Sequence, residues 1–393
     1  MNEAHSKFAT INLDLLDENG RISYKEKKNV REELLFSKQE NKECELLKDT
    51  ASSDNKEKEI LGIHHITAVA SHPQPNIDFY TTVLGLRLVK LTVNYDDPGT
   101  YHLYYGNESG EPGTILTFFP WPSAPRGQVG SGQVTTISFR IPENSVDFWK
   151  LRLSEHGIVY QGPTARFTNS EKVLAFSDPD GLHLELVENE KKKKKRWDGS
   201  NREPSAWKDG PVPIDYAIRG FNSAALSEND IEPTKSMLVN LLGFRETKRE
   251  GNRFRFEVSS GGAGASVDLI HLPDLPPGLV SSGTVHHIAW RTPNDEQQRK
   301  WRSEISSAGF SVTPIIDRKY FHSIYFREPG GVLFEIATDP PGFTVDESLG
   351  ELGSSLKLPE RLEPLRLKLE QTLPPVTLPQ RPRKALLKER VGS

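Results

Sequence analysis

The feature that most restricts the fold of this chain is a fourfold internal repeat. "VLGLRLVKLT" at 83–92 matches "LLGFRETKRE" at 241–250, and in both places the glycine follows an earlier one, Gly62 or Gly220, by 23 residues. "QVTTISFRIP" at 133–142 matches "TVHHIAWRTP" at 284–293, and "SDPDGLHLELVE" at 177–188 matches "REPGGVLFEIAT" at 327–338. Self-similarity on this scale means that one supersecondary unit is used four times. Each unit opens with an apolar strand and runs into a helical stretch such as "NIDFYTTVLG" or "DEQQRKWRSEISSAG", whose closing glycine suits a left-handed C-cap. Short β-branched or aromatic runs follow, separated by Gly, Pro and Asp turns. A strand, a helix and three strands make a half-open sheet that cannot cover its own concave face, so units must pair. The expected fold is α+β: four βαβββ modules forming two paired-module domains with half-open β-barrels.

The runs between units set the expected boundaries. Residues 1–59 are rich in Lys, Glu, Asn, Ser and Asp, a composition that predicts a disordered extension. Modules 1 and 2 occupy 60–189. The segment "EKKKKKRWDGSNREPSAW" begins a basic linker, 190–213, and modules 3 and 4 fill 214–345. Residues 346–393 read as an amphipathic helix bounded by prolines and a basic tail. A chain of 393 residues with 35% hydrophobic composition can bury a sizeable core. Its net charge of −4 gives no basic field for nucleic acid, and the single cysteine, Cys44, excludes an intrachain disulfide and a Cys-rich metal site. No apolar run is long enough to span a membrane and no signal peptide is evident, so a cytoplasmic protein with small-molecule partners is expected.

Two doubled histidines, in "GIHHIT" at 62–67 and "TVHHIAWR" at 284–291, point to the chemistry. Neighbours on a strand face opposite ways, so one histidine of each pair should face the cleft. Unit 2 supplies the phase: bulky Ile137 and Phe139 share one face of "VTTISFR", while Thr136 and Ser138 share the other. Carried to unit 4, this groups His286 with Ile288 and Trp290, and His287 with Ala289 on the cleft side. In unit 1 it groups His65 with Thr67. In the last strand, "GGVLFEIA", Glu335 opposes Val332, Phe334 and Ile336, and a carboxylate there is costly to bury without a partner.

Two neutral imidazoles and one carboxylate are the ligand set of a facial triad for Fe(II), with Mn(II) as the alternative, and Zn(II) or Ni(II) can take similar donors. His65, His287 and Glu335 are the expected metal ligands. Unit 2 has Thr136 where unit 4 has His287, and unit 3 has Asn222-Ser223 where unit 1 has its pair, so the fold itself does not require histidine. Glu185 matches Glu335, but a rival site of Glu185 and His183 lacks a histidine at Thr136 and reads as vestigial.

This pattern resembles the vicinal oxygen chelate superfamily of glyoxalase I, bleomycin-resistance proteins and type I extradiol dioxygenases. It is most similar to the ring-cleaving dioxygenases of hydroquinones, the chlorohydroquinone 1,2-dioxygenase and methylhydroquinone-resistance group. "GIHHIT", "VNYDDPGTYHLYYGNESGEPGTILTFFPWP" at 93–122, "DRKYFHSIYFREPGGVLFEIATDPPGF" at 317–343 and the second histidine pair carry the resemblance, which covers about residues 61–375. It implies Fe(II) at His65, His287 and Glu335, with His64, Thr67, His286 and Tyr325 in catalytic positions around the metal. It also implies a substrate-contacting arginine between Asp317 and Tyr325, where this chain is a few residues shorter and offers Arg318. The implied partners are a small aromatic diol and O2, with no nucleic acid and no membrane, and a homo-oligomer is left open. Because the third module lacks its histidine, modules 1 and 4 must meet or exchange a strand. The alternatives are a glyoxalase-like isomerase or lyase, which would want a second carboxylate that "TILTFFP" does not offer, and a metal-free binding protein on the same scaffold.

Overall fold

A computed structural model describes residues 59–189, 204–261 and 264–379. The expected disordered extension, apart from Glu59, most of the basic run and the end of the C-terminal tail lie outside the described residues. Unit 1 is β1 (Ile63–Ala70), α1 (Pro73–Asp78, continued as a π-helical turn Phe79–Val83), β2 (Arg87–Val93), β3 (Tyr101–Gly106) and β4 (Ile115–Pro120). Unit 2 is β5 (Gln133–Ile141), α2 (Val146–Glu155), β6 (Tyr160–Arg166), β7 (Glu171–Ser177) and β8 (His183–Asn189). Unit 3 is β9 (Phe221–Glu228), α3 (Glu232–Ser236, continued by Met237–Leu241), β10 (Arg245–Glu250), β11 (Arg253–Glu257) and β12 (Ser266–His271). Unit 4 is β13 (Thr284–Thr292), α4 (Asp295–Ser307), β14 (Ile316–Asp317), β15 (Phe321–Arg327) and β16 (Leu333–Pro341). Each is the βαβββ unit that the repeat predicts. Gly85 and Gly243 close the first and third helical stretches at φ +69° and +76°, the left-handed conformation that a residue with a Cβ adopts at a cost.

The strands form two eight-stranded sheets, ordered β14-β15-β16-β13-β1-β4-β3-β2 and β10-β11-β12-β9-β5-β8-β7-β6. Units 1 and 4 therefore build the first sheet and units 2 and 3 the second, so partnership crosses the sequence halves 60–189 and 214–345. Both sheets belong to one compact unit. The seam of the first sheet is the antiparallel pair β1–β13, and the seam of the second is β5–β9. Modules 1 and 4 thus meet directly, with the two histidine strands side by side.

Apolar residues on the convex faces make the core. Ile66, Ile288, Trp290, Phe334 and Ile336 are buried there in the first sheet, and Ile137, Phe139, Leu184 and Leu186 in the second. Trp301 and Ile305 of α4 are buried against the same core. Asn294 caps α4 by accepting a 3.0 Å hydrogen bond from the Gln297 amide. The same helix carries Gln298, which donates to the carbonyls of His322 and Ile336 and so fixes the backbone beside Glu335.

Beyond β16 the chain returns to unit 1. Lys90, fully buried on β2, pairs with Asp346 at 2.6 Å and with Glu347. The expected C-terminal helix is α5 (Arg366–Thr372), and Leu369 and Leu373 enter the core. Among the described residues no helix is long and apolar enough to cross a membrane.

Candidate metal centre

The register of the first sheet brings three distant residues into one place. His65 lies opposite Ala289 across the seam, and Ala289 lies opposite Glu335 on the other side. His287 is two residues along from Ala289, facing Thr67. All four positions share the concave face, as strand alternation predicts, and the small Ala289 leaves room between His65 and Glu335. His65 Nε2 is 3.2 Å and His287 Nε2 3.0 Å from Glu335 Oε2, and the two Nε2 atoms are 3.4 Å apart. Among the described residues this is the one cluster of three or more His, Cys, Asp or Glu that could hold a metal ion, and all three are buried.

The donors fit such an ion. Glu335 Oε2 is buried without a hydrogen bond, although two imidazole nitrogens face it. Its other oxygen accepts a short hydrogen bond from Ser323 on β15. Three donors bound about 2.1 Å from one ion at right angles would stand about 3 Å apart, close to the separations observed. Burial pushes the Glu335 carboxyl up, but His65 and His287 outweigh it and hold the carboxyl well below the ordinary range. Burial, opposed by Glu335, lowers the pKa of His287. A carboxylate and neutral imidazoles are the forms that bind metal.

His64 and His286 occupy a position that strict alternation did not foresee. The β1–β13 ladder skips one residue on each strand, first between Ile63 and His65 and then where Thr67 pairs with His287 and Ala68 with Val285. His64 and His286 are the extra residues of these two bulges, which re-aim a side chain. Each ring turns back on its neighbour: His64 Nδ1 lies 2.9 Å from His65 Nδ1, and His286 Nδ1 lies 2.8 Å from His287 Nδ1. His64 Nε2 is 3.1 Å from the Thr338 carbonyl, so it must carry the proton, which leaves its Nδ1 to accept from His65 Nδ1–H. His65 then presents the lone pair of Nε2 to the centre, the tautomer a ligand requires. Burial first, then the adjacent imidazole, lowers His64 well below its ordinary pKa and His286 to about 3.

Around the open side stand residues from both units. Tyr325 lies opposite Glu335 in the sheet, its ring edge-on to His287 with centroids 5.7 Å apart. Arg318 donates to the Tyr325 hydroxyl at 3.2 Å and reaches Asp96 of unit 1 at 2.9 Å. Thr67 hydrogen-bonds Thr117, which meets His102. Phe119 and Trp121 stack nearly parallel, and both meet the His286 ring edge-on. The sequence reading missed Ser323, Thr117 and His102. Ser323 could have been found, because it is two residues from Tyr325 and so on the same strand face. The rival pair separates: His183 is exposed, while Glu185 accepts from Ser138 and Arg166, each at 2.6 Å.

Comparison with known proteins agrees with this architecture. The family model of the Glyoxalase/Bleomycin resistance protein/Dioxygenase superfamily matches residues 62–186 and 220–336. The chain belongs to this superfamily. Within it, the Bacillus subtilis (strain 168) protein MhqO, whose name assigns it to the ring-cleaving dioxygenases, is 48% identical over 318 residues, covering 81% of this chain and 97% of its own. The chlorohydroquinone/hydroquinone 1,2-dioxygenase of Sphingobium indicum is 36% identical over 322 residues, covering 80% and 96%. A crystal structure described as a Bacillus subtilis dioxygenase superposes with TM-score 0.75 at 47% identity, covering 82% of this chain and 99% of that one. Glyoxalase I from Zea mays, at TM-score 0.51 and 12% identity over 71% and 92% of the two chains, shares the fold. The protein is an enzyme, a ring-cleaving dioxygenase of the superfamily.

Proposed function

We propose that the protein is an Fe(II)-dependent dioxygenase that opens a hydroquinone- or catechol-type diol with O2, the iron held by His65, His287 and Glu335. The observation that carries this reading is Glu335 Oε2, buried, free of hydrogen bonds and facing two imidazole nitrogens. Mn(II) suits the same donors. Bound there, Fe(II) supplies a redox-active Lewis acid with open positions for both reactants. A cytoplasmic setting suits a chain with one cysteine.

The side chains do the rest. His64 holds the His65 ring through Nδ1 and fixes its Nε2 lone pair toward the centre, and His286 meets the His287 ring at Nδ1 in the matching position. Burial, followed by Glu335, raises the pKa of Tyr325 above that of an ordinary phenol, so it stays protonated and offers a hydroxyl beside the ligands. Arg318, held against that ring, gives a positive charge for a phenolate oxygen. Phe321 packs on His64 and His65 and keeps water from one side of the ligand set. The substrate class follows the relative named for chlorohydroquinone and hydroquinone. A glyoxalase-type site would want a carboxylate where Thr117 stands, and that hydroxyl is already engaged with Thr67 and His102.

Oxygen uptake after anaerobic loading with Fe(II) tests the reading. Chlorohydroquinone, methylhydroquinone or catechol should drive consumption of O2, and the His65→Ala, His287→Ala, Glu335→Ala triple variant should hold no iron and consume none. Absence of uptake with every diol, or activity in the triple variant, would overturn it.

A further inference from the structure

A row of four hydrogen-bonding groups runs away from the metal centre along the first sheet. Thr67 Oγ1 is 2.8 Å from Thr117 Oγ1, Thr117 Oγ1 is 2.9 Å from His102 Nε2, and His102 Nδ1 is 2.9 Å from the Tyr104 hydroxyl. The row starts beside a ligand, since Thr67 faces His287 across the seam. Tyr104 lies opposite Thr117 in the sheet, and His102 is two residues from Tyr104 on the same strand. Thr67, Thr117 and Tyr104 are buried, whereas His102 keeps part of its surface open.

Every group in this row can both donate and accept. Neutral His102 has one N–H. With that proton on Nδ1, His102 donates to Tyr104, Thr117 donates to Nε2, Thr67 donates to Thr117, and the Thr67 oxygen is left as an acceptor beside His287. With the proton on Nε2, every bond reverses. Among the described residues no other side chain hydrogen-bonds the four groups and fixes the direction. Before a diol arrives, burial, with His65, His287 and Arg318, keeps His102 neutral against the pull of Glu335; the negative charge that a diol leaves at the site on giving up its proton is what then favours the His102 cation.

We propose that this row is the proton path of the site. A diol hydroxyl arriving beside His287 gives its proton to Thr67, Thr67 passes its own to Thr117, and Thr117 passes its own to His102 Nε2. One proton leaves the diol and one is gained by His102, whose Nδ1–H rests on the Tyr104 oxygen; no other bond changes. The same row run backwards returns the proton to the ring-opened product. This path rests on the diol reading above, and His102 is the group that stores the charge.

Calorimetry under argon counts the protons directly. The Fe(II)-loaded full chain is titrated with chlorohydroquinone in buffers of different ionisation enthalpy, as wild type, His102→Gln and Tyr104→Phe. Glutamine can hydrogen-bond but cannot hold the charge, so His102→Gln should release about one more proton to buffer per diol bound than wild type. Tyr104→Phe, which strips the acceptor from Nδ1–H, should move the count the same way. Iron content should be the same in all three. Equal proton release overturns the path while leaving the function standing, and failure of wild type to bind any diol overturns both. If His102→Gln loses iron, Tyr104→Phe decides the matter, because it is furthest along the row from the ligands.

Discussion

The two sheets follow one plan and differ in what occupies the middle. In the first, His65 and His287 flank the β1–β13 seam and Glu335 lies in line with Ala289. In the second, Ser223 and Thr136 hold the histidine positions and Glu185 lies in line with Ser138. Both seams carry paired bulges, at His64 and His286 in one and at Asn222 and Thr135 in the other. The carboxylate is common to both; its partners are not. Arg166 and Ser138 satisfy Glu185, while Arg253 and Arg255 hold Asp268, which stands where the first sheet has Thr117. Arg255 also reaches Glu171 and lies under the Phe167 ring, so charge pairs fill the second concave face. The fold thus supplies the same row and two bulges to both sheets; Ser138 and Arg166 occupy both oxygens of Glu185, whereas one oxygen of Glu335 is left facing His65 and His287.

That contrast can be broken most severely at the carboxylates. Glu335→Ala should weaken metal affinity by more than about 100-fold, beyond the usual loss from an outer partner, while Glu185→Ala should leave the metal content unchanged. Elemental analysis after dialysis reads both. Next in size, Arg255→Met takes the hydrogen-bonded cation from buried Glu171 and leaves Asp268 with Arg253 alone, and should cost about 3–5 kcal/mol in chemical unfolding without touching the metal. His64→Asn and His286→Asn should then lower metal affinity about 10–100-fold, since each removes the imidazole that meets His65 or His287 at Nδ1. Asn222→Ala and Thr135→Ala, at the matching bulges of the second sheet, should leave metal affinity unchanged.

The smallest effect concerns the far end of the seam strands, where β1 has Ala70 and β9 has Glu228. Both Glu228 oxygens are buried without a partner, and burial, with Glu328 nearby, raises its pKa to about 8. The folded chain therefore keeps a proton that the unfolded chain releases at the ordinary carboxylate pKa. Stability from this group is full below that ordinary value and is lost as pH rises through about 8. Glu228→Gln should flatten this part of the unfolding free energy against pH, and an unchanged slope would show that Glu228 does not carry it.

Much of this was legible in the sequence for a physical reason: a strand has a period of two, and a repeat supplies its own control. Unit 2 fixed the phase that separates His287 from His286, and Glu335 stood out as a charge in an apolar strand. Bulges were not legible, because one inserted residue leaves the hydrophobic pattern on either side intact. Alternation therefore sent His64 and His286 away from the ligand face, where the bulges bring them within hydrogen-bonding distance of His65 and His287. The charge network of the second sheet was hidden too, since Arg166, Glu171 and Arg255 come from three strands in two units and nothing local joins them. His102 and Thr117 were unremarkable in sequence because a hydrogen-bonded row across strands has no spacing of its own.

Anomalous scattering from crystals grown with Fe(II) under argon tests the central claim most directly. One iron per chain is expected, bounded by His65, His287 and Glu335, and none among Glu185, Asp268 and Ser223 of the second sheet. Iron in the second sheet, or no iron between the two histidine strands, would contradict it.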